Sequence, residues 1–295
     1  MDRKHMGLRP HASFWQTTRF RLDLSQPLVM GIVNVTPDSF SDGGQHADGP
    51  AAIAHAERLV RDGADLLDIG GESSRPGAAA VDAGTEWARI QGVVQAAVRW
   101  NLPISIDTCK PEVMRAALDA GADIINDIWA LRWPGAAQVV AEHGQCGVCL
   151  MHMHAEPATM QVNPMQGPAF EPVRDFLQHQ AKRLQALRVN AARIVLDPGI
   201  GFGKTVAQNF ELLARQSELL TLGHAVLAGW SRKSSLGAVL AEGGEPPAPE
   251  QRVAASVAAA LLAVERGARV VRVHDVRETV QALAVHAQVL TASPR

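Results

Sequence analysis

Polar residues close the apolar runs of this chain at intervals: Asn34, Asp68, Asp107, Asn126, Asp197, Arg272 and His274. The first of them shows the pattern. Leu28-Val-Met-Gly-Ile-Val33 is apolar without a break, and Asn34 then leads into Val-Thr-Pro-Asp-Ser-Phe-Ser-Asp-Gly-Gly44. An unbroken apolar run fits a parallel strand covered on both faces. Thr, Pro, Asp, Ser and paired Gly are loop residues. An oxygen ligand thus stands at the carboxyl end of a buried strand, where α/β folds place their chemistry. A single Asp at such an end is most often a helix N-cap, but the whole set exceeds what capping requires. Carboxylates and amides accept hydrogen bonds from a donor-rich heterocycle edge, while Arg, His and a metal at Asn34 hold an anion. Arg272 and His274 are two apart and project to one side of their strand. Loops following the apolar runs add Asp38, Ser73, Arg75, Lys204, Ser231, Arg232 and Lys233.

The elements that position these residues repeat. Helix, Gly-Ala, a charged residue, an apolar run and then Asp or Asn describes Asp62 to Asp68 and Ala120 to Asn126. Asn190 to Asp197 is a version with Ala for Gly, and Arg266 to His274 is the last. Further apolar runs end at Asp107, Met151 and Gly229, and Ala51 to Arg61 reads as an Ala-rich helix ended by Gly63. An internal repeat of strand and helix with a polar residue at each exit is the result. Eight such units from Leu28 onward predict a (β/α)8 barrel, with a doubly wound open sheet as the alternative. Phe20 to Leu24 alternates and predicts a short strand or hairpin ahead of the barrel. Residues 1–15 read as a variable lead-in, and residues 16–295 as one domain, with no linker or shift in composition.

Composition narrows the function. The 295 residues carry a net charge of −2 with 20% charged residues, which argues against a broad nucleic-acid footprint. No apolar run approaches the ~20 residues of a membrane span. Three cysteines and no secretion signal point to a reduced cytoplasmic setting.

Two motifs lead nowhere. Gly199-Ile-Gly-Phe-Gly-Lys-Thr205 resembles a phosphate loop, but Pro198 occupies the place of its first Gly. Cys146 and Cys149 have opposite strand parity and would point apart, so with His152 and His154 they make no zinc site; both read as structural. Cys109 reads as a small filler between loop and helix. The Ala-rich run Val253 to Val264 predicts close helix packing.

Eight separated motifs, taken together, resemble the dihydropteroate synthase family. They are Asn34 to Gly44, Asp68-Ile-Gly-Gly-Glu-Ser-Ser-Arg-Pro-Gly77, Ser105-Ile-Asp-Thr108, Ile125-Asn-Asp127, Leu150-Met-His-Met153, Asp197-Pro-Gly-Ile-Gly-Phe-Gly-Lys204, Ser231-Arg-Lys-Ser234 and Arg272-Val-His-Asp275. The resemblance spans Phe20 to Leu290. It implies condensation of 6-hydroxymethyl-7,8-dihydropterin diphosphate with p-aminobenzoate. By matching positions, the pterin pocket would use Asp107, Asn126, Met151, Asp197 and Lys233. Asn34, Arg272 and His274 would take the diphosphate, with Mg2+ on Asn34. Ser73, Arg75, Pro76, Phe202 and Ser231 would form the p-aminobenzoate pocket, which sulfonamides also occupy in the family. Asp107, Asp38, Lys233, Arg272 and His274 carry the expected catalytic roles, and a homodimer through the last helices is implied. Trp129 and Trp230 depart from the family pattern, Trp230 being expected to face the core. A pterin-dependent methyltransferase and a non-catalytic pterin-binding paralogue are the competing readings; the first has no use for Arg272 with His274, and the second should have lost loop or anion-site residues.

Overall fold

Strands that are apolar on both faces need helices on one side and a packed interior on the other, and a closed ring supplies both. In the computed structural model, which describes residues 13–36, 44–73, 79–156, 159–160 and 162–292 (side chains excepted for 44–48), that ring is complete. A two-stranded hairpin of β1 (Phe14–Gln16) and β2 (Arg21–Asp23) comes first. The barrel strands are β3 (Leu28–Asn34), β4 (Leu66–Gly70), β5 (Ile104–Asp107), β6 (Ile124–Asp127), β7 (Gly147–Met151), β8 (Ile194–Asp197), β9 (Ala225–Ala228) and β10 (Ala268–Val273). They are parallel, and β10 closes the barrel by pairing with both β9 and β3. Between and after them run α1 (Gly44–Arg61), α2 (Ala83–Ala97), α3 (Pro111–Asp119), α4 (Ala136–His143), α5 (Phe170–Ala186), α6 (Val206–Ala214), α7 (Ser234–Val239), α8 (Val253–Glu265) and α9 (Val276–Ala292). The (β/α)8 barrel is therefore the fold, and the open sheet is excluded. The helix expected from Ala51 begins earlier, because α1 runs through Pro50, a residue that marks a helix start in sequence.

Period-two alternation builds the interior in layers. Met30, Leu66, Ile124, Cys149, Val195 and Val270 fill its apolar layer. Two positions further along the same strands stand Ile32, Asp68, Asn126, Met151, Asp197 and Arg272. One parity thus supplies core below and chemistry above. The opposite parity faces the helices and joins the outer core, as with Val29, Leu67, Ile125, Val148 and Leu196.

The hairpin plugs the amino-terminal end of this interior. Trp15 is fully buried within the inner cluster, and its indole N–H donates to the Arg193 carbonyl at 2.9 Å. Arg19 clamps the hairpin to the barrel through a bidentate contact with the buried Asp123 carboxylate, 2.6 Å at the shorter arm. The lead-in expected through residue 15 therefore ends sooner, since Phe14 and Trp15 belong to β1. A three-residue strand carries too little periodicity to be seen in sequence. Trp15→Ala should lower stability by ~3–5 kcal/mol, the usual result of truncating a buried Trp. A lowered denaturant midpoint with unchanged ligand affinity at the opposite rim is the expected outcome of chemical unfolding.

Candidate functional site

Strand register gathers the polar exits. Gly70 pairs with Asp107, Asp107 with Asn126, and Met151 with Asp197, while Asn34 sits beside Gly70. Every expected site residue within the described segments lies at this rim. Asp107, Asn126, Met151, Asp197, Phe202, Ser231, Lys233, Arg272 and His274 surround an inner cavity of about 60 Å3. Asn34, Ser73, Phe202, Ser231, Lys233, Arg272 and His274 also border an outer cavity of about 490 Å3. Asp38, Arg75 and Pro76 fall outside the described residues.

The centre of the inner layer is an ion-pair cluster. Arg272 reaches across the barrel so that its Nε donates to Asp68 Oδ2 at 2.5 Å and its Nη2 to Asp107 Oδ2 at 2.8 Å. Asn126 donates to the same Asp68 oxygen at 3.0 Å. Burial opposes the Arg272 charge, but Asp68 and Asp107 outweigh it and the guanidinium is held protonated. Burial also pushes the Asp107 carboxyl up to about 7, against the pull of Arg272. Asp197 is raised by burial as well, and it accepts the Gly199 N–H at 2.7 Å. Lys233 is lowered by burial to about 8, with Asp197 resisting. Its ammonium contacts the Ile200 carbonyl and lies 4.8 Å from the Phe202 ring centroid.

Phe202 is carried by a loop with unusual backbone demands. Gly199 and Gly203 adopt left-handed φ of 68° and 69°. A Cβ at Gly199 would fall 1.8 Å from the His152 carbonyl oxygen, so only glycine fits. Lys204 sews this loop down: its buried ammonium donates to the carbonyls of Gly199, Phe202 and His152 at 2.8, 3.1 and 3.2 Å. The phosphate-loop look of this segment is thus a loop tie, with its lysine turned inward.

The side of the rim that carries His274 is also pre-set. Ser231 Oγ accepts the backbone N–H of His274 at 3.1 Å and lies 3.0 Å from its Nδ1, which orients the imidazole. Arg232, which also borders the outer cavity, is held in a pair with Asp275 at 2.6 Å. Glu72 borders the outer cavity and accepts from Val81 N–H at 3.0 Å and from Lys110 at 2.6 Å, with Glu86 on the other side of that lysine. Trp230 faces the core, 1% exposed and tilted against Phe210, and leaves the cavities open.

Arg272, expected at the diphosphate group, also pairs with the acids. Ser231, expected at p-aminobenzoate, borders both cavities and also holds His274. Both contacts cross from one strand exit to another, and such distances are invisible along the chain. Ile128, Met160 and Glu72, which also line the cavities, were missed for the same reason. Cys109 is buried and its thiol is pushed up to about 12 by burial, in keeping with a filler. Among the described residues no helix is long and apolar enough to cross a membrane.

The model of the pterin binding enzyme family matches residues 30–274, which encloses the whole rim. The chain belongs to the dihydropteroate synthase family of pterin-binding enzymes. It is 46% identical over 276 residues to the dihydropteroate synthase of Neisseria meningitidis serogroup B, covering 92% of this chain and 95% of that one. The Escherichia coli K12 enzyme is also 46% identical, over 272 residues, with 92% and 94% covered. Among solved structures, Xanthomonas albilineans dihydropteroate synthase in complex with 7,8-dihydropteroate superposes with a TM-score of 0.83 at 48% identity, over 93% of this chain and 97% of that one. Yersinia pestis dihydropteroate synthase in a sulfonamide drug complex gives 0.87 at 45% identity, over 95% and 100%.

An acid raised to about 7 accepts N–H donors less well as pH falls below that value, and a lysine lowered to about 8 loses its charge as pH rises above it. Pterin affinity should therefore peak between about 7 and about 8 and fall up to tenfold per pH unit on either side. Calorimetry across this range is the check. Asp107→Asn should remove the acid limb and Lys233→Met the alkaline limb.

Proposed function

We infer that this barrel condenses 6-hydroxymethyl-7,8-dihydropterin diphosphate with p-aminobenzoate to give 7,8-dihydropteroate and diphosphate. One observation carries the reading. A small inner cavity floored by acids and an amide opens beside a larger outer one, and Lys233, Phe202, Arg272 and His274 border both. That is the layout for a heterocycle below, an aromatic amine above and an anion between. Relatives crystallised with 7,8-dihydropteroate and with 4-aminobenzoic acid support it. A methyl-transferring barrel would share the pterin contacts but has no need of Arg272 and His274 together.

Asp107, Asn126 and Asp197 grip the N–H edge of the pterin, carboxylates making the stronger charge-assisted bonds. Lys233 donates to the ring carbonyl, and Met151 packs on the ring. The C–O bond to diphosphate breaks with its electron pair leaving on oxygen, and the methylene carbon becomes a cation conjugated with the pterin. Asp107 lines the inner cavity, where it would face that ring and stabilise the positive charge. Arg272 and His274 take the growing charge of the leaving group. The amine lone pair then forms the C–N bond, and the nitrogen gives up one proton. Phe202 and Ser73 border the outer cavity that would take the second substrate, the family resemblance assigns Arg75 and Pro76 to the same substrate, and Ser231 aims His274. The family resemblance alone assigns Asp38 a catalytic role, in which its carboxylate would offset the positive charge of the cation.

Asn34 fits a role in holding Mg2+. Its side chain borders the outer cavity at the mouth of β3, and among the described residues no three His, Cys, Asp or Glu converge into a metal cluster. Mg2+ keeps several waters and binds substrate phosphates together with only one or two protein oxygens, usually carboxylates; here the Asn34 amide oxygen would supply the protein ligand. When bound, the ion would offset charge on the diphosphate. A homodimer is consistent with Leu262 on α8 and Val285 and Leu290 on α9, which are 41%, 67% and 61% exposed. Three free, buried cysteines suit a reducing cytoplasm.

Diphosphate release that requires both substrates tests the reaction; release without the amine, or none with both, would overturn it. For His274→Ala we expect inorganic diphosphate to bind about tenfold more weakly, the scale of one charged hydrogen bond, with affinity for diphosphate-free pterin retained in calorimetry.

A further inference from the structure

Asn126 lines the inner cavity, and the residue after it points the other way. Asp127 ends β6 with the opposite parity, so its side chain turns outward to the helices. It is fully buried. One of its carboxylate oxygens accepts the Trp129 N–H at 2.8 Å, and the other accepts the Leu131 N–H at 2.7 Å. Its carbonyl accepts the Ala130 N–H at 3.0 Å. Within this turn Ala130 and Leu131 take left-handed φ of 51° and 57°. Both are buried in the outer core. A residue with a Cβ disfavours that conformation, which persists only where its surroundings fix it. A buried Leu131 N–H left without an acceptor would add a further penalty. From outside, Arg183 on α5 donates to the Leu131 carbonyl.

The first residue of the turn is Ile128, which lines the inner cavity with Asn126 and Met151. Ile128 and Trp129 also pack against the cluster of Met151, Met153 and Met160. We propose that Asp127 and Arg183 are positioning residues for the ring site: they hold two strained residues in one conformation so that Ile128 stands beside the heterocycle. Asp127 takes the N–H groups of the turn and Arg183 takes its last carbonyl, and both act through Ile128. Glycines would follow the same path unaided but would be free to leave it. Ala and Leu cannot follow it without being held, and once held they pack. The wall of the ring site is thus set by an acid on the far side of the strand. The inference rests on the pterin reading of the inner cavity, and it adds where the affinity for the ring is controlled.

The test is a double-mutant cycle on affinity for 6-hydroxymethylpterin, read by calorimetry on the full chain. Asp127→Asn keeps the shape of the side chain but sets an NH2 group against a backbone N–H. We expect it to bind the pterin about tenfold more weakly, the low end for one apolar contact in a pocket, and to bind inorganic diphosphate as tightly as the parent protein. In the Ile128→Ala background Asp127→Asn should weaken pterin binding no further, because the residue it positions is gone. Arg183→Met should show the same pattern, and it carries the test if Asp127→Asn does not fold. Unchanged pterin affinity in the folded single variant overturns the proposal while leaving the pterin reading intact. A full additive loss in the Ile128→Ala background overturns it too, as does an equal loss of diphosphate affinity, since either would make the effect a general one on the barrel. Absence of pterin binding by the parent protein overturns the pterin reading, and this proposal with it.

Discussion

Buried charge must be paired, and the upper layer of this barrel is organised around that requirement. Asp68 and Asp107 share one guanidinium, from Arg272, in an interior whose lower layer is apolar apart from Ser105. Neither acid could be there without the cation, and the cation could not cross the barrel without two acids to receive it. Asn126, Asp197 and Lys233 extend the same arrangement around the rim, each with a polar partner or an opposite charge near it. The result is a floor of strong hydrogen-bond groups held in place before any substrate arrives. Such preorganisation lets fixed charges act on a developing cation with little rearrangement.

That floor is possible because the other end of the barrel is closed by apolar means. Trp15 on the short hairpin fills the interior from below, with its one polar atom satisfied by the Arg193 carbonyl. Arg193 in turn donates to the carbonyls of Cys146, Gly144 and Val140. Polar groups at this end serve closure, and those at the opposite end are left for chemistry. The division matches the general separation in (β/α)8 barrels between a stability face and an active face.

The loops show how rigid scaffolding and close approach are combined. The segment with Phe202 passes so near His152 that Gly199 admits no side chain, and Lys204 spends its whole hydrogen-bonding capacity on three loop carbonyls. Asp127, pushed up to about 7 by burial, accepts the N–H groups of Trp129 and Leu131 and shapes the turn that presents Ile128 to the inner cavity. Gly199, Lys204 and Asp127 thereby shape the walls of the site.

Much of this was legible along the chain, for reasons of period and parity. Apolar runs ending in polar residues, repeated at the spacing of strand and helix, determined the barrel and named Asn34, Asp107, Asn126, Asp197, Arg272 and His274 as neighbours at one rim. Two-residue spacing placed Arg272 and His274 on one side. Only the closed structure decided which of these side chains touch. The Arg272 contacts span separations of 204 and 165 residues, and the Ser231–His274 contact spans 43. Trp15 could be seen as core only once the ring existed for it to fill. Periodicity is a local property and survives in the sequence, whereas a partner across the barrel is chosen by side-chain length, strand register and the need to neutralise buried charge, and those meet only in three dimensions.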